Sequence, residues 1–149
     1  MRHIKPFKSD ECGATLVEFS IAATVFLVAM FAVIEFGRAL WVHNALSDAA
    51  RRGARYAVLH SGESGDKVKN MVVYGDEDGG EIPMVPNLTT DNVTVNYSEF
   101  GLNKGTVSVS ITDYQFQFVI PIVSATITMP SSSTTLTGEN VGWVPKDKV

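Results

Sequence analysis

The chain has 149 residues, 12 Lys and Arg against 16 Asp and Glu, and a formal net charge of −4. That balance argues against a nucleic-acid binder, and one cysteine excludes an internal disulfide framework and any multi-cysteine metal site. The length allows one modest domain beside a membrane segment, and only 19% of residues are charged, below the ~25% usual for soluble domains.

The leader comes first. Residues 1–13 are short and polar, and Arg2, Lys5 and Lys8 give them a positive flank. The positive-inside rule keeps this end cytoplasmic. Arg38, Arg51, Arg52 and Arg55 lie beyond the following segment and weaken that orientation. They are partly neutralised: Glu35 is three residues from Arg38, and Asp48 is three and four residues from Arg51 and Arg52. Cys12 sits after Asp10-Glu11, which is unlike the apolar run of a lipoprotein signal, and reads as an incidental thiol.

The next stretch organises the chain. From Ala14 to Ile34 the only charged residue is Glu18, and no Pro or Gly interrupts the run. As a helix at ~1.5 Å per residue it spans ~30 Å, the thickness of a bilayer's hydrocarbon core. Residues 14–37 therefore read as a transmembrane helix. The run exceeds the 7–15 apolar residues of a secretory signal, and no small-residue cleavage site follows it. Glu18 is the oddity. A carboxylate inside a bilayer is costly, so it is either an interfacial residue or one with a partner cation at the same depth.

The helical pattern continues over 38–61 without Pro. Ala45, Ala49, Gly53 and Ala57 recur at four-residue spacing, and Val42, Leu46 and Tyr56 extend their face. Such a ridge allows close helix packing. It serves either a neighbouring helix or the chain's own C-terminal domain. Ser61-Gly62 then ends the helix.

Residues 62–140 read as a loop-rich antiparallel β domain. Asp66–Tyr74 forms a short helix or a strand. Asp76, Glu77, Asp78 and Glu81 form an acidic cluster whose spacing does not fit a calcium loop, so a solvated loop is expected. Val93–Ser98 alternates apolar and polar residues, and so does Thr106–Phe118, with a turn over 100–105 between them. Val107, Val109 and Ile111 share one parity, whereas Tyr114, Phe116 and Phe118 share the other. A bulge or bend near Thr112-Asp113 follows. Ile120-Pro121-Ile122 interrupts the run, and Ala125–Met129 and Thr134–Thr137 give further strand. The sheet is expected to pack on the extended helix, an α+β arrangement. Residues 141–149 read as a flexible tail.

No nucleophile–base set, phosphate loop or metal spacing stands out, and His3, His43 and His60 are scattered. The chain is expected to be non-enzymatic, with no catalytic residue, no metal and no cofactor.

Gly13-Ala14-Thr15 with Glu18 five residues after the glycine, then the apolar run, resembles the prepilin-peptidase site of type IV pilins and pseudopilins. Gly13–Phe19, Ile34–Leu40 and Asn44–Ala57, in that order, more closely resemble the TadE family, pilin-like minor subunits of the tight-adherence (Flp) pilus system. The resemblance covers residues 13–57. It implies a pilin-like fold and cleavage by prepilin peptidase between Gly13 and Ala14. It also implies an extracytoplasmic C-terminal domain on a single-pass inner-membrane anchor, and incorporation at or in a pilus. The implied partners are other pilin and minor pilin subunits, an inner-membrane pilus assembly platform and the lipid bilayer. Cleavage would leave an α-amino group on Ala14, mostly cationic at neutral pH, which Glu18 of a neighbouring subunit can pair. The alternative is a single-pass membrane-anchored adhesion or binding module whose Glu18 is incidental.

Overall fold

The computed structural model describes residues 11–60, 65–98, 105–119 and 125–137, with backbone alone at Glu11 and Cys12. Expectations for the leader before Glu11, the Ser61-Gly62 cap, residues 100–104, Ile120-Pro121-Ile122 and the tail lie outside them.

One helix dominates. α1 runs unbroken over Glu11–Leu59, about 73 Å at 1.5 Å per residue. Its first half is bare: Leu16, Phe19, Ile21, Val25, Phe26, Val33 and Ile34 are each more than half exposed. Its second half is the spine of a core. Val42, Leu46, Ala49, Ala50, Ala54, Ala57 and Val58 are buried. The change of environment along one continuous element is what a helix leaving a bilayer for a folded domain requires.

Asp66–Tyr74, open between helix and strand in the sequence, is helical. α2 covers Gly65–Val73 and buries Val68, Val72 and Val73. Tyr74 and Gly75 close it by donating to the carbonyls of Asn70 and Met71, and Gly75 takes φ +78°. That left-handed value is the usual helix C-terminal device of glycine. A single 3₁₀ turn over Thr90–Asn92 then leads into the strands.

β1 (Val93–Ser98), β2 (Thr106–Ile111) and β5 (Ser132–Thr137) form an antiparallel sheet in the order β1-β2-β5. β3 (Gln115–Gln117) and β4 (Thr126–Thr128) form a separate antiparallel ribbon between β2 and β5 in the chain. The central strand carries the core: Val107, Val109 and Ile111 are buried, opposite Leu136, Thr134 and Ser132 of β5. The anticipated bend lies at Thr112–Tyr114, where Asp113 takes φ +57°. It switches the inward parity, so that Tyr114 and Phe116 are buried after Ile111. The sheet packs on the second half of α1, as the sequence leads one to expect for an α+β fold.

Candidate functional site

Gly13, Ala14 and Glu18 lie in the first turns of α1, all exposed. A glycine inside a helix costs about 1 kcal/mol relative to alanine. A Cβ built on Gly13 would meet nothing within 4 Å, so nothing within the described residues asks for a glycine there. Glu18 stands one turn beyond Ala14 on the same side, ~6 Å along the axis. Its neighbours are exposed apolar side chains, Leu16, Val17, Phe19 and Ile21. The nearby hydroxyls are turned inward: Ser20 donates to the Leu16 carbonyl and Thr24 to that of Ser20, both at 2.8 Å. Among the described residues no hydrogen bond or ion pair reaches the Glu18 carboxylate. In hydrocarbon that leaves an ionised group without compensation.

The other end of the apolar stretch is built differently. Glu35 is only 7% exposed. The Arg38 guanidinium donates to both of its oxygens, Nη2 to Oε2 at 2.7 Å and Nε to Oε1 at 3.3 Å. This is the two-pronged fit of guanidinium to carboxylate. Arg38 also donates to the Gln117 carbonyl and lies 4.3 Å over the Phe116 ring. The Val119 N–H donates to Glu35 Oε2 at 3.3 Å. The pair read from sequence as local charge neutralisation thus fastens the β3–β4 ribbon to α1 where the apolar run ends. A backbone donor 84 residues away leaves no trace in sequence pattern.

The small-residue ridge is used inside the chain. Ala49, Gly53 and Ala57 are buried and Ala45 packs at the edge of the core. A Cβ on Gly53 would stand 2.2 Å from Val72 Cγ2 of α2 and 3.5 Å from Val109 Cγ1 of β2. Glycine there sets the approach of α2 to α1. Arg52 does not join Asp48, which instead meets Arg51 at 3.3 Å. Its guanidinium crosses to the last carbonyls of α2, Met71 at 3.3 Å and Val72 at 3.4 Å. A cation at that negative helix end is favourable, and α2 has none in its own last turn.

Two carboxylates of the acidic loop accept hydrogen bonds from within the chain. Glu77 accepts from the Tyr56 hydroxyl, and Asp76 accepts from the Asp78 N–H at 3.0 Å. Among the described residues no group of three His, Cys, Asp or Glu side chains could hold a metal. His60 stacks on Tyr56, ring centroids 4.2 Å apart.

Among the described residues α1 is the one helix long and apolar enough to cross a membrane, which suits single-pass anchoring. No curated protein and no solved structure matches the chain. The family model described as TadE-like protein matches residues 13–55, the stretch that holds Gly13, Glu18, Glu35, Arg38 and Gly53, so this N-terminal segment is similar to that family.

Proposed function

We propose that this chain is a pilin-like structural subunit, a minor pilin or pseudopilin of a tight-adherence (Flp) pilus assembly or secretion machine, with no catalytic role of its own. In this reading prepilin peptidase cuts between Gly13 and Ala14 on the cytoplasmic face. α1 then anchors the subunit in the inner membrane, and the domain after Arg38 stands on the far side. Glu18 pairs with the Ala14 amine of a neighbouring pilin or minor pilin and sets the axial register of adjacent helices at the assembly platform.

One observation carries the reading. Glu18 is a lone carboxylate on an exposed apolar helix surface, five residues after a glycine that no described part of the chain requires. The match of residues 13–55 to the TadE-like family model supports it. The test is the mature N-terminus of protein purified from membranes of cells carrying a prepilin peptidase. Mass spectrometry is expected to find Ala14. An uncut chain would favour a membrane-anchored binding module instead.

A further inference from the structure

The β3–β4 ribbon descends α1 towards the membrane. Ser132, beside Ile111 in the sheet, meets Ser47 of α1, Oγ to Oγ at 3.4 Å. Further along the chain Gln117 meets Arg38, and Val119 meets Glu35. From the sheet at Ile111 and Ser132, through Gln117, to Val119, the contacts on α1 thus move from Ser47 to Arg38 to Glu35, towards its N-terminus. Residues 14–34 supply about 31 Å of apolar helix, which fills a hydrocarbon core of ~30 Å. Glu35 is then at the outer edge of that core. Trp41, 57% exposed, lies about 9 Å further out along the axis, in the headgroup zone where exposed tryptophans gather. Val119 is therefore on the membrane side of the tryptophan level.

Val119 is also bare. It is 73% exposed, and Ile127 on the partner strand is 43% exposed. The polar groups at this level are already matched. The Glu35 carboxylate holds Arg38 and the Val119 N–H, and Arg38 also holds the Gln117 carbonyl. An exposed valine beside a neutralised ion pair, bonded to the helix residue that follows the exposed Ile34, suits hydrocarbon better than water.

We propose that the end of the β3–β4 ribbon at Val119 is a second membrane contact, seated in the outer edge of the bilayer that α1 crosses. The chain then stands on the membrane by a helix and a foot, and the foot fixes how the domain is oriented on its anchor. The inference rests on the membrane-anchor reading of α1.

Spin labels on the full chain in vesicles of phosphatidylethanolamine and phosphatidylglycerol test both. Cys12→Ser provides a background in which Val119→Cys, Ile34→Cys and Asn96→Cys are labelled one at a time. All three sites are exposed, so the labels displace no core side chain. Oxygen collisions report lipid and a nickel chelate reports water. The label at 119 is expected to match that at 34, with nickel access several-fold below that at 96. A watery 119 beside a lipid-immersed 34 would overturn the foot and leave the anchor standing. Watery signals at both would overturn the anchor and the foot with it. A label at 119 shielded from both reagents would mean that protein, not lipid, covers the site, and would also overturn the proposal.

Discussion

Glu35 of α1 accepts a hydrogen bond from the Val119 N–H at 3.3 Å, and this contact joins the end of a membrane-length apolar run to the far end of a β-ribbon. The same carboxylate holds Arg38 at 2.7 Å. Glu35→Ala should leave the Val119 amide without its acceptor and Arg38 with the Gln117 carbonyl alone. The expected result is a local loosening of the ribbon with the α1–sheet core intact, because that core lies around Leu46, Ala54 and Val109. Amide exchange at Val119 should rise about tenfold, the scale of one lost hydrogen bond. Amides of β2 should keep their protection. If Val119 exchanges as in the parent chain, the Glu35 contact does not hold the ribbon.

Gly53 and Gly37 should respond oppositely to alanine. At Gly53 the new Cβ would collide with Val72 Cγ2, at 2.2 Å. Valine is stiff and cannot swing clear, so α2 must shift. Gly53→Ala should destabilise the domain by about 1–3 kcal/mol. At Gly37 a Cβ would meet nothing within 4 Å. Gly37→Ala should raise stability by about 0.5–1 kcal/mol through helix propensity. Thermal unfolding of both variants in nanodiscs decides. Loss of assembly in Gly37→Ala without loss of stability would place that glycine against a partner helix.

Arg52 is expected to matter for α2 rather than for α1. Arg52→Ala removes the donor to the Met71 and Val72 carbonyls and the cation at that helix end. A loss of about 1–2 kcal/mol is expected, with exchange rising first at α2 amides. Arg52→Lys should recover part of it, since a point charge replaces a fork. Arg51→Ala, whose partner Asp48 is exposed, should change stability by less than about 0.5 kcal/mol.

How far the sequence disclosed all this follows from range. α1 was legible because one apolar run without Pro continues into a ridged face. The bend at Thr112–Tyr114 was legible because inward parity switches between Ile111 and Tyr114. The start of β5 was not, because its first inward residue is Ser132 and its other inward positions are Thr134 and Leu136, a weak apolar pattern. Nine residues were too few to separate α2 from a strand by period. For the ridge at Ala49, Gly53 and Ala57 the pattern shows that something approaches, and only the fold shows that it is α2. Arg52 was misassigned to Asp48 because spacing along a helix reveals local pairs and hides the partner across a turn. Gly13 and Glu18 were visible at once because each violates the rule of its surroundings.

Tyr114 should give the domain an alkaline limit. Burial pushes its phenol above the ordinary tyrosine range, and the charge of Arg38 only partly offsets this. The hydroxyl donates to the Pro86 carbonyl at 2.7 Å. The fold thus favours the protonated form. Below pH about 10 both folded and unfolded chains keep this proton, and the contribution is fully present. As pH rises past that value the unfolded chain ionises first, and stability falls until the folded phenol ionises too. Tyr114→Phe loses the hydrogen bond, about 1 kcal/mol at neutral pH, and should show a shallower alkaline decline. Equal slopes for the two proteins above pH about 10 would refute the assignment.

Glu18 carries the assembly hypothesis, and its variants separate pairing from insertion. The carboxylate is exposed on a surface of Leu16, Val17, Phe19 and Ile21, without a partner among the described residues. Glu18→Val should insert as well as the parent or better, since an ionised side chain near hydrocarbon is removed. Cleavage between Gly13 and Ala14 should persist, because the peptidase must read the residues at the scissile bond. Incorporation should fall, because the Ala14 amine of each neighbour would then be buried without its counter-charge. Glu18→Asp should be intermediate, as its side chain is one methylene shorter. Glu18→Gln keeps the shape and removes the charge, so it should resemble Glu18→Val if the charge is what counts. Crosslinking to the other pilus components reports incorporation, and the mass of the N-terminal peptide reports cleavage in the same samples. A Glu18→Val chain that is cut and assembles like the parent would reduce Glu18 to an interfacial residue and remove the pairing role.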